Sequence, residues 1–204
     1  LPISQLLKGV CAEIKPSLQD HTLLISVAAG VNSASLENWL GARAIVRCMP
    51  NTPAAIGLGA TGMYCNQHVN EAQQNLATNI LSAVGLVTRV DSDDLLDAVT
   101  AVSGSGPAYF FLFIEAMQNA GTELGLTSQA ASQLALQTAL GAAQLATNSD
   151  CDVAELRTRV TSPNGTTERA IASFEDAGLR SIVAEAMQAC AKRAKAIASE
   201  LGEH

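Results

Sequence analysis

The sequence predicts an α/β region followed by a region made of helices alone. Three observations support this fold class. Short apolar runs alternate with amphipathic stretches in the first part of the chain, as in an open α/β sheet. A motif of glycine and serine at residues 103–109 follows this alternation. Beyond the motif, apolar residues recur only at helical spacing. We therefore expect an α/β domain in residues 1–92 and a helical domain in residues 93–204.

Strands and helices alternate along the first region. Two apolar runs, residues 22–28 and 44–49, have the length and composition of buried strands. Residues 60–65 predict a further extended segment and residues 87–90 a short strand. Amphipathic or acidic stretches beside them predict helices at residues 6–18, 33–40 and 70–84 and a helix start at residues 91–94. Ser33 is the expected cap of the second helix. This order predicts the later half of an open α/β sheet.

The motif at residues 103–109 reads Ser-Gly-Ser-Gly-Pro-Ala-Tyr and predicts a turn that leads into a helix. Its glycines permit a turn, Ser105 can cap a helix, and Pro107 suits a first turn, where no amide donor is missed. Four of the seven aromatic residues follow at once, namely Tyr109, Phe110, Phe111 and Phe113. We expect them to lie in a large apolar contact. The helix start could hold a small anion, or the motif could be a plain hinge.

The second region predicts helices at residues 107–124, 127–147, 152–160, 166–177 and 179–201. Thr127 is a good cap, Asp152 and Glu155 have the spacing of a capping box, and Gly178 suits a helix end. The helix at residues 127–147 is rich in alanine and has almost no charged face. Such a helix should be buried on all sides, so we expect a second copy of the chain to cover it in a homodimer.

Composition excludes several classes of protein. The chain has 204 residues, 48% of them hydrophobic, which is enough for a substantial core. Its net charge is -7 and basic residues do not cluster, which argues against a nucleic-acid partner. Polar residues interrupt the longest uncharged run, residues 124–149, so we expect no membrane span. No signal segment opens the chain, and a cytoplasmic protein is the expectation.

Cysteine and histidine offer no obvious chemistry. The five cysteines are scattered without a CxxC pair, which predicts reduced packing residues and neither disulfides nor a metal site. His21, His68 and His204 have no acid or nucleophile at suggestive spacing, and no GxSxG, HExxH or phosphate-binding loop is present.

Three turns rich in small and polar residues remain as candidate sites, at residues 28–30, 48–53 and 161–167. The first two follow predicted strands, and ligands of parallel sheets bind at the carboxyl ends of strands. Small residues in the first turn would admit a planar ring, and Asn51 in the second could bond an amide. The third turn precedes a helix whose free amides suit a carboxylate. Each has an ordinary alternative as a strand end or a helix cap.

Taken together, these segments resemble the pyrroline-5-carboxylate reductase family in order and spacing. The resemblance lies in Ser-Val-Ala-Ala-Gly-Val at residues 26–31, Arg-Cys-Met-Pro-Asn-Thr-Pro-Ala at residues 47–54, and the stretches from Asp97 to Tyr109 and from Val160 to Glu168. It implies a partial Rossmann-type, doubly wound domain followed by a helical dimerisation domain. It also implies reduction of the cyclic imine 1-pyrroline-5-carboxylate to L-proline by NADPH or NADH, the last step of proline biosynthesis, in a homodimer or a higher oligomer of dimers.

The resemblance assigns roles residue by residue. Cofactor-binding residues on the nicotinamide side would be Ala28, Ala29, Gly30 and Asn51. Substrate-binding residues would be Asp150, Ser162, Gly165, Thr166 and Thr167. Of these, Thr167 would be catalytic, because its hydroxyl would contact the ring nitrogen, whose proton the product retains. No histidine base is required, since a protonated imine is already electrophilic and the hydride comes from the cofactor.

The chain departs from the family pattern in three places. Asn164 stands where glycine is usual, although asparagine tolerates the left-handed conformation. Asp-Val-Ala at residues 152–154 and Arg-Thr-Arg at residues 157–159 replace a different family sequence. The opening strand and the GxGxxG loop, where NADP or NAD preference is read, would precede Leu1. A non-catalytic oligomerisation or binding fragment and a related imine or hydroxyacid reductase are the alternatives.

Overall fold

The strands and helices of the chain follow the predicted order. The computed structural model describes residues 3–202; Leu1 and His204, both named above, lie outside the described residues. The strands are β1 (Leu24–Ser26), β2 (Ile45–Met49), β3 (Gly59–Cys65) and β4 (Gly85–Arg89). The helices are α1 (Ile3–Ile14), α2 (Ser33–Leu40), α3 (Glu71–Ser82), α4 (Leu95–Val99), α5 (Gly106–Glu123), α6 (Ser128–Thr147), α7 (Val153–Arg159), α8 (Thr166–Asp176) and α9 (Leu179–Gly202).

The four strands form one sheet in the order β1-β2-β3-β4. β1 and β2 are parallel, with Leu24 opposite Ile45, and β3 and β4 are parallel as well. β3 runs antiparallel to β2, which the sequence pattern does not indicate. Because β1 and β2 point the same way, the turns that follow them lie at one edge of the sheet. Both candidate turns of the α/β region are therefore neighbours.

Alternate residues of β2 point to opposite faces of the sheet and anchor two separate cores. Ile45 belongs to a cluster with Cys11, Val31, Leu36 and Leu40. Val46 and Cys48, on the other face, pack with Met63, Ala77 and Leu81. The sheet is thus covered on both faces by its own helices, as expected for an open α/β domain.

Helix ends differ from prediction at a few residues. The cap of α2 is Asn32 and not Ser33, since Asn32 Oδ1 accepts a hydrogen bond of 2.8 Å from the Ser35 N–H. The predicted caps Thr127 and Asp152 are confirmed, because their side chains accept from the amides of Ala130 and Glu155. Gly178 has a φ of 77° between α8 and α9, in the left-handed region that suits glycine.

The motif at residues 103–109 does not form the predicted turn. α4 continues into a π-helical turn at Thr100–Gly104, and α5 begins two residues later. Ser105 is right-handed, with φ -89° and ψ -16°, and its N–H donates to the Thr100 carbonyl at 2.8 Å. Gly104 lets the helical stretch lie close to β2, because a Cβ there would lie 2.7 Å from Met49 Cε. The chain therefore stays helical through the motif.

The helical segments α5 and α6 lack the contacts that the sequence predicts for them. Phe110 and Phe111 are 70% and 66% exposed. On α6 only Ala131 and Ala135 are buried, whereas Leu134 is 57% exposed. Burial on all sides is thus not achieved within one chain.

The chain divides into two compact units. One contains residues 3–107 and 186–202, and the other contains residues 108–185. The predicted domain boundary at residue 92 stays a prediction. Among residues 3–202, no helix is both long and apolar enough to cross a membrane.

Candidate active site

The turn after β1 consists of Ala28, Ala29 and Gly30 and leaves the backbone accessible. Gly30 has a φ of 77°, a backbone conformation that is unfavourable for residues with a side chain. The Ala28 N–H makes a long bond of 3.4 Å to Ser26 Oγ. Ala28 and Ala29 also border an apolar cavity of about 550 Å³ between α1, β1 and α2. A planar ring could approach this turn closely.

A second cavity, of about 290 Å³, opens at the same sheet edge and lies wholly within the unit that contains the sheet. It is bordered by Ala29 and Gly30 after β1, by Arg47 and Met49 of β2, by Leu96, Asp97, Thr100 and Ser105 of the helical stretch after β4, and by Cys190, Arg193, Ala194 and Ile197 of α9. We call this space the strand-end cavity. Mostly apolar walls with a few polar groups are typical of small-molecule sites.

Asn51 follows β2, two residues after the cavity residue Met49, and the oxygen and nitrogen of its side-chain amide each bond the protein. Its Nδ2 donates to the Ser103 carbonyl at 3.0 Å. Its Oδ1 accepts from the Ala60 N–H at 2.8 Å. The residue thus joins the end of β2 to the start of β3 and to the π-helical turn.

A charged cluster borders the strand-end cavity. Asp93, after β4, accepts hydrogen bonds of 2.7 Å from both the N–H and the Oγ of Ser33, and it forms an ion pair with Arg47. The cluster connects the start of α2, strand β2 and the start of α4. Burial raises the pKa of the nearby Asp97 carboxyl, an effect that the positive charge of Arg47 reduces. A polar cleft of about 440 Å³ extends from here to Lys195.

The turn before α8 brings most of the predicted substrate residues together. The Gly165 N–H donates to the Ser162 carbonyl at 3.0 Å, and a Cβ on Gly165 would lie 2.9 Å from that oxygen. Asn164 has a φ of 59°, which confirms that it takes the left-handed conformation expected of it. Glu168 closes the turn by accepting from the Asn164 N–H at 2.6 Å. Gly165, Asn164 and Glu168 therefore all favour this compact turn.

The first turn of α8 presents amides and hydroxyls to solvent. Gly165 is its N-cap, and among the described residues no side chain caps these amides. Thr166 and Thr167 are both exposed. Free amides at the start of an 11-residue helix, together with two hydroxyls, can bind a carboxylate. Asp150 lies apart from this turn in sequence, between α6 and α7.

The predicted site residues thus form two groups in different units. Ala28, Ala29, Gly30 and Asn51 belong to the unit with the sheet, and Asp150, Ser162, Gly165, Thr166 and Thr167 belong to residues 108–185. Sequence reasoning missed Arg47, Asp97, Thr100 and Ser105 as cavity residues. All four lie in motifs that carried the family resemblance. Cys190 and Arg193 had no sequence signal, because only the folding of α9 brings them to the sheet edge.

Metal ligands and reactive thiols are not assembled in the described part of the chain. Across residues 3–202, no group of three His, Cys, Asp or Glu side chains could hold a metal ion. All five cysteines are free thiols. Burial raises the pKa of Cys48 to about 12, which suits a packing residue.

Comparison with known proteins identifies the family. A profile described as pyrroline-5-carboxylate reductase dimerisation matches residues 93–197. The pyrroline-5-carboxylate reductase of Pseudomonas aeruginosa is 53% identical over 98% of this chain, which spans 73% of that protein. The chain belongs to the pyrroline-5-carboxylate reductase family. The family member from Pisum sativum is 41% identical over 94% of the chain and is matched over 70% of its own length.

Solved structures of this family share the fold. A pyrroline-5-carboxylate reductase from Coxiella burnetii superposes with a TM-score of 0.92 at 46% identity, covering 95% of this chain and 73% of that one. The Plasmodium falciparum pyrroline carboxylate reductase, crystallised with NADP bound, gives a TM-score of 0.86 at 33% identity, covering 96% and 78%. The predicted fold class, a partial Rossmann-type domain followed by helices, is confirmed.

Proposed function

We propose that this chain reduces the C=N bond of 1-pyrroline-5-carboxylate to give L-proline, with NADPH or NADH as hydride donor. The observation that supports this most strongly is the 53% identity to a pyrroline-5-carboxylate reductase over 98% of the chain, a span that includes both groups of candidate residues. The NADP in the Plasmodium falciparum structure supports the same cofactor class.

Ala28, Ala29, Gly30 and Asn51 form the nicotinamide side of the site. The fit rests on the small side chains of the turn after β1, on the positive φ of Gly30 and on the strand-end cavity. When bound, the reduced nicotinamide supplies the hydride. The protein's own part is to orient the ring against a dry surface and to exclude water from the reacting face.

Asp150, Ser162, Gly165, Thr166 and Thr167 form the substrate side. The uncapped amides at the start of α8 bind the substrate carboxylate, because they offer free donors at the positive end of the helix dipole. The Thr167 hydroxyl contacts the ring nitrogen. That nitrogen keeps its proton when carbon receives the hydride, so no side chain has to remove one.

The decisive experiment compares Thr167→Val with Thr167→Ser in the intact protein. The valine keeps the shape of threonine but loses a bond to a charged group, which is worth about 1.5 to 3 kcal/mol. We expect kcat/KM to fall roughly ten- to a hundredfold. The serine variant retains the hydroxyl and should keep most activity.

Thr78→Val is the matched control, because Thr78 Oγ1 bonds its own helix at Gln74 and lies in α3, outside both candidate turns. A fully active Thr167→Val enzyme, or one inactive only because its thermal melt shows it unfolded, would return Thr167 to the status of a helix-start residue. A wild-type protein with no turnover would favour a non-catalytic binding module. Faster turnover of another imine or of a hydroxyacid would indicate a related reductase.

The assembly and location are parts of the same proposal. The dimerisation profile and the exposed apolar side chains of α5 and α6 support a homodimer, from which higher oligomers of dimers can be built. We place the Rossmann-type domain in residues 1–92, the dimerisation and substrate-binding domain in residues 93–204, and the enzyme in the cytoplasm.

A further inference from the structure

The carbonyl of Ser103 has lost the partner that an α-helix would provide. In an α-helix the carbonyl of one residue accepts from the N–H four residues later. For Ser103 that residue is Pro107, which has no N–H. The loss falls where α4, the π-helical turn at Thr100–Gly104 and α5 follow one another, so an unpaired carbonyl there would weaken the helical path.

Asn51 supplies a donor to this carbonyl. Its Nδ2 reaches the Ser103 carbonyl at 3.0 Å from a position 52 residues earlier in the chain. Its Oδ1 is held in turn by the Ala60 N–H at 2.8 Å, at the start of β3. The amide is therefore oriented by one strand while it supports the turn. The oxygen and one N–H of the amide are thus bonded to the protein.

The helical stretch packs closely against the sheet around this turn, which limits movement toward the strands. A Cβ on Gly104 would lie 2.7 Å from Met49 Cε, and one on Gly62 would lie 2.5 Å from Val99 Cγ1. These contacts set how closely the helical stretch approaches the strands. The bond from Asn51 prevents movement in the opposite direction, because it ties the turn to the end of β2.

We infer that Asn51 is a positioning residue of the active site: it replaces the amide that Pro107 lacks and so fixes Thr100 and Ser105 along the wall of the strand-end cavity. This inference rests on the proposed function and gives Asn51 a specific part in it. Asn51 acts through the turn that it holds, because its amide bonds both Ser103 and Ala60. Ser105 also contacts Cys190 Sγ at 3.3 Å, so the turn carries contacts from β2 to α9.

The test is Asn51→Asp in the intact protein. The carboxylate keeps the acceptor for Ala60 but places a second acceptor against the Ser103 carbonyl. At pH 8 we expect kcat/KM to fall about tenfold relative to wild type, the order expected for loss of one buried bond. Amide hydrogen exchange in residues 100–106 should become faster, because the Ser105 N–H bond to Thr100 is less protected.

Acidification should reverse both effects in this variant. A protonated aspartic acid has an O–H donor and a carbonyl acceptor, which can replace the two bonds that Asn51 makes, and contact with a carbonyl favours that neutral form. The ratio of variant to wild-type kcat/KM should therefore rise toward one between pH 8 and pH 5. The Ser103 carbonyl and the Ala60 amide do not titrate. The charged groups at this edge, Arg47, Asp93, Asp97, Arg193 and Lys195, are present in both proteins, so the wild-type protein is the reference at each pH.

Asn79→Asp is the control, since it adds the same charge at an exposed position of α3. Wild-type kinetics and exchange in Asn51→Asp would overturn the inference. So would a loss that stays constant with pH and follows a lowered melting temperature, because that pattern indicates a structural role alone. If the wild-type protein does not reduce the imine, the proposed function fails, and the exchange of residues 100–106 against pH still decides whether Asn51 holds the turn.

Discussion

The two compact units bury their apolar side chains in different ways. In the unit with the sheet, Ile45 and Val46 are fully buried and Met63 is 1% exposed. Among the described hydrophobic residues of 108–185, only Ala131 and Ala135 are buried, and Phe110 remains 70% exposed. Exposed apolar side chains such as Ile56 also occur in the first unit, but they lie beside two filled cores. The unit with the sheet fills two cores with its own side chains, whereas residues 108–185 expose apolar side chains that a second copy would cover.

The substitution with the largest expected effect is Phe110→Asp, which tests whether a second copy covers α5. If a second copy covers α5, the charge would be buried without a partner, and association should weaken by about 2 kcal/mol or more, roughly thirtyfold. Sedimentation at micromolar concentration should then show a monomer in place of the wild-type dimer. Leu76→Asp is the matched control, because Leu76 is 52% exposed on α3 and should assemble normally. A wild-type protein that is a folded monomer would refute the comparison itself.

A second substitution tests whether the stability of the unit with the sheet is independent of assembly. Asp93→Asn removes the charge that pairs with Arg47 and one acceptor for Ser33. The pair is largely buried, with 12% and 17% of the side chains exposed, so we expect a loss of about 2 to 3 kcal/mol in the free energy of unfolding. Denaturant unfolding measures this loss, and it should be the same at low and high protein concentration.

Asp91→Asn provides the control from the same loop, because Asp91 is exposed. An Asp93→Asn loss that disappears when the protein is concentrated would mean that assembly, and not this cluster, stabilises the unit with the sheet.

The smallest expected effect is the difference between two cysteines. Cys48 lies in the core of the sheet with a pKa raised to about 12, whereas Cys151, in the helical unit, is partly exposed. A thiol reagent at pH 8 should modify Cys151 first and Cys48 only on unfolding. The raised pKa also means that the unfolded chain ionises first. The contribution of Cys48 to stability is therefore complete below about pH 9 and is lost as the pH rises through 12. Equal labelling rates would show that the core opens readily.

Much of the fold could be predicted from local pattern. Strand alternation, caps such as Thr127 and the left-handed Asn164 depend on a few neighbouring residues, and the structure confirms them. The junction could not be predicted this way. Its glycines and proline are typical of a turn, but Gly104 serves to approach Met49, and the carbonyl freed by Pro107 is bonded by Asn51. Both facts depend on residues far away in sequence.

The candidate site shows the same division. The turn at Ser162 to Thr167 is local, so its geometry followed from its sequence. The strand-end cavity is assembled from β1, β2, the segment after β4 and α9, and no single stretch indicates that Cys190 or Arg193 lies there. The roles of the site residues came from family resemblance and remain predictions.

The mixed direction of the sheet has a consequence for the order in which the domain folds. The antiparallel pair of β2 and β3 brings together Met49 and Gly62, which are close in sequence. The parallel pairs join Leu24 to Ile45 and Gly59 to Gly85 across longer crossovers. Because the entropy lost in closing a loop grows with its length, the central pair is the least costly to form and favours early assembly. The bond of Asn51 to Ala60 lies inside that shortest loop, so the same loop-closure cost favours orienting the amide before the more distant helical stretch packs against it.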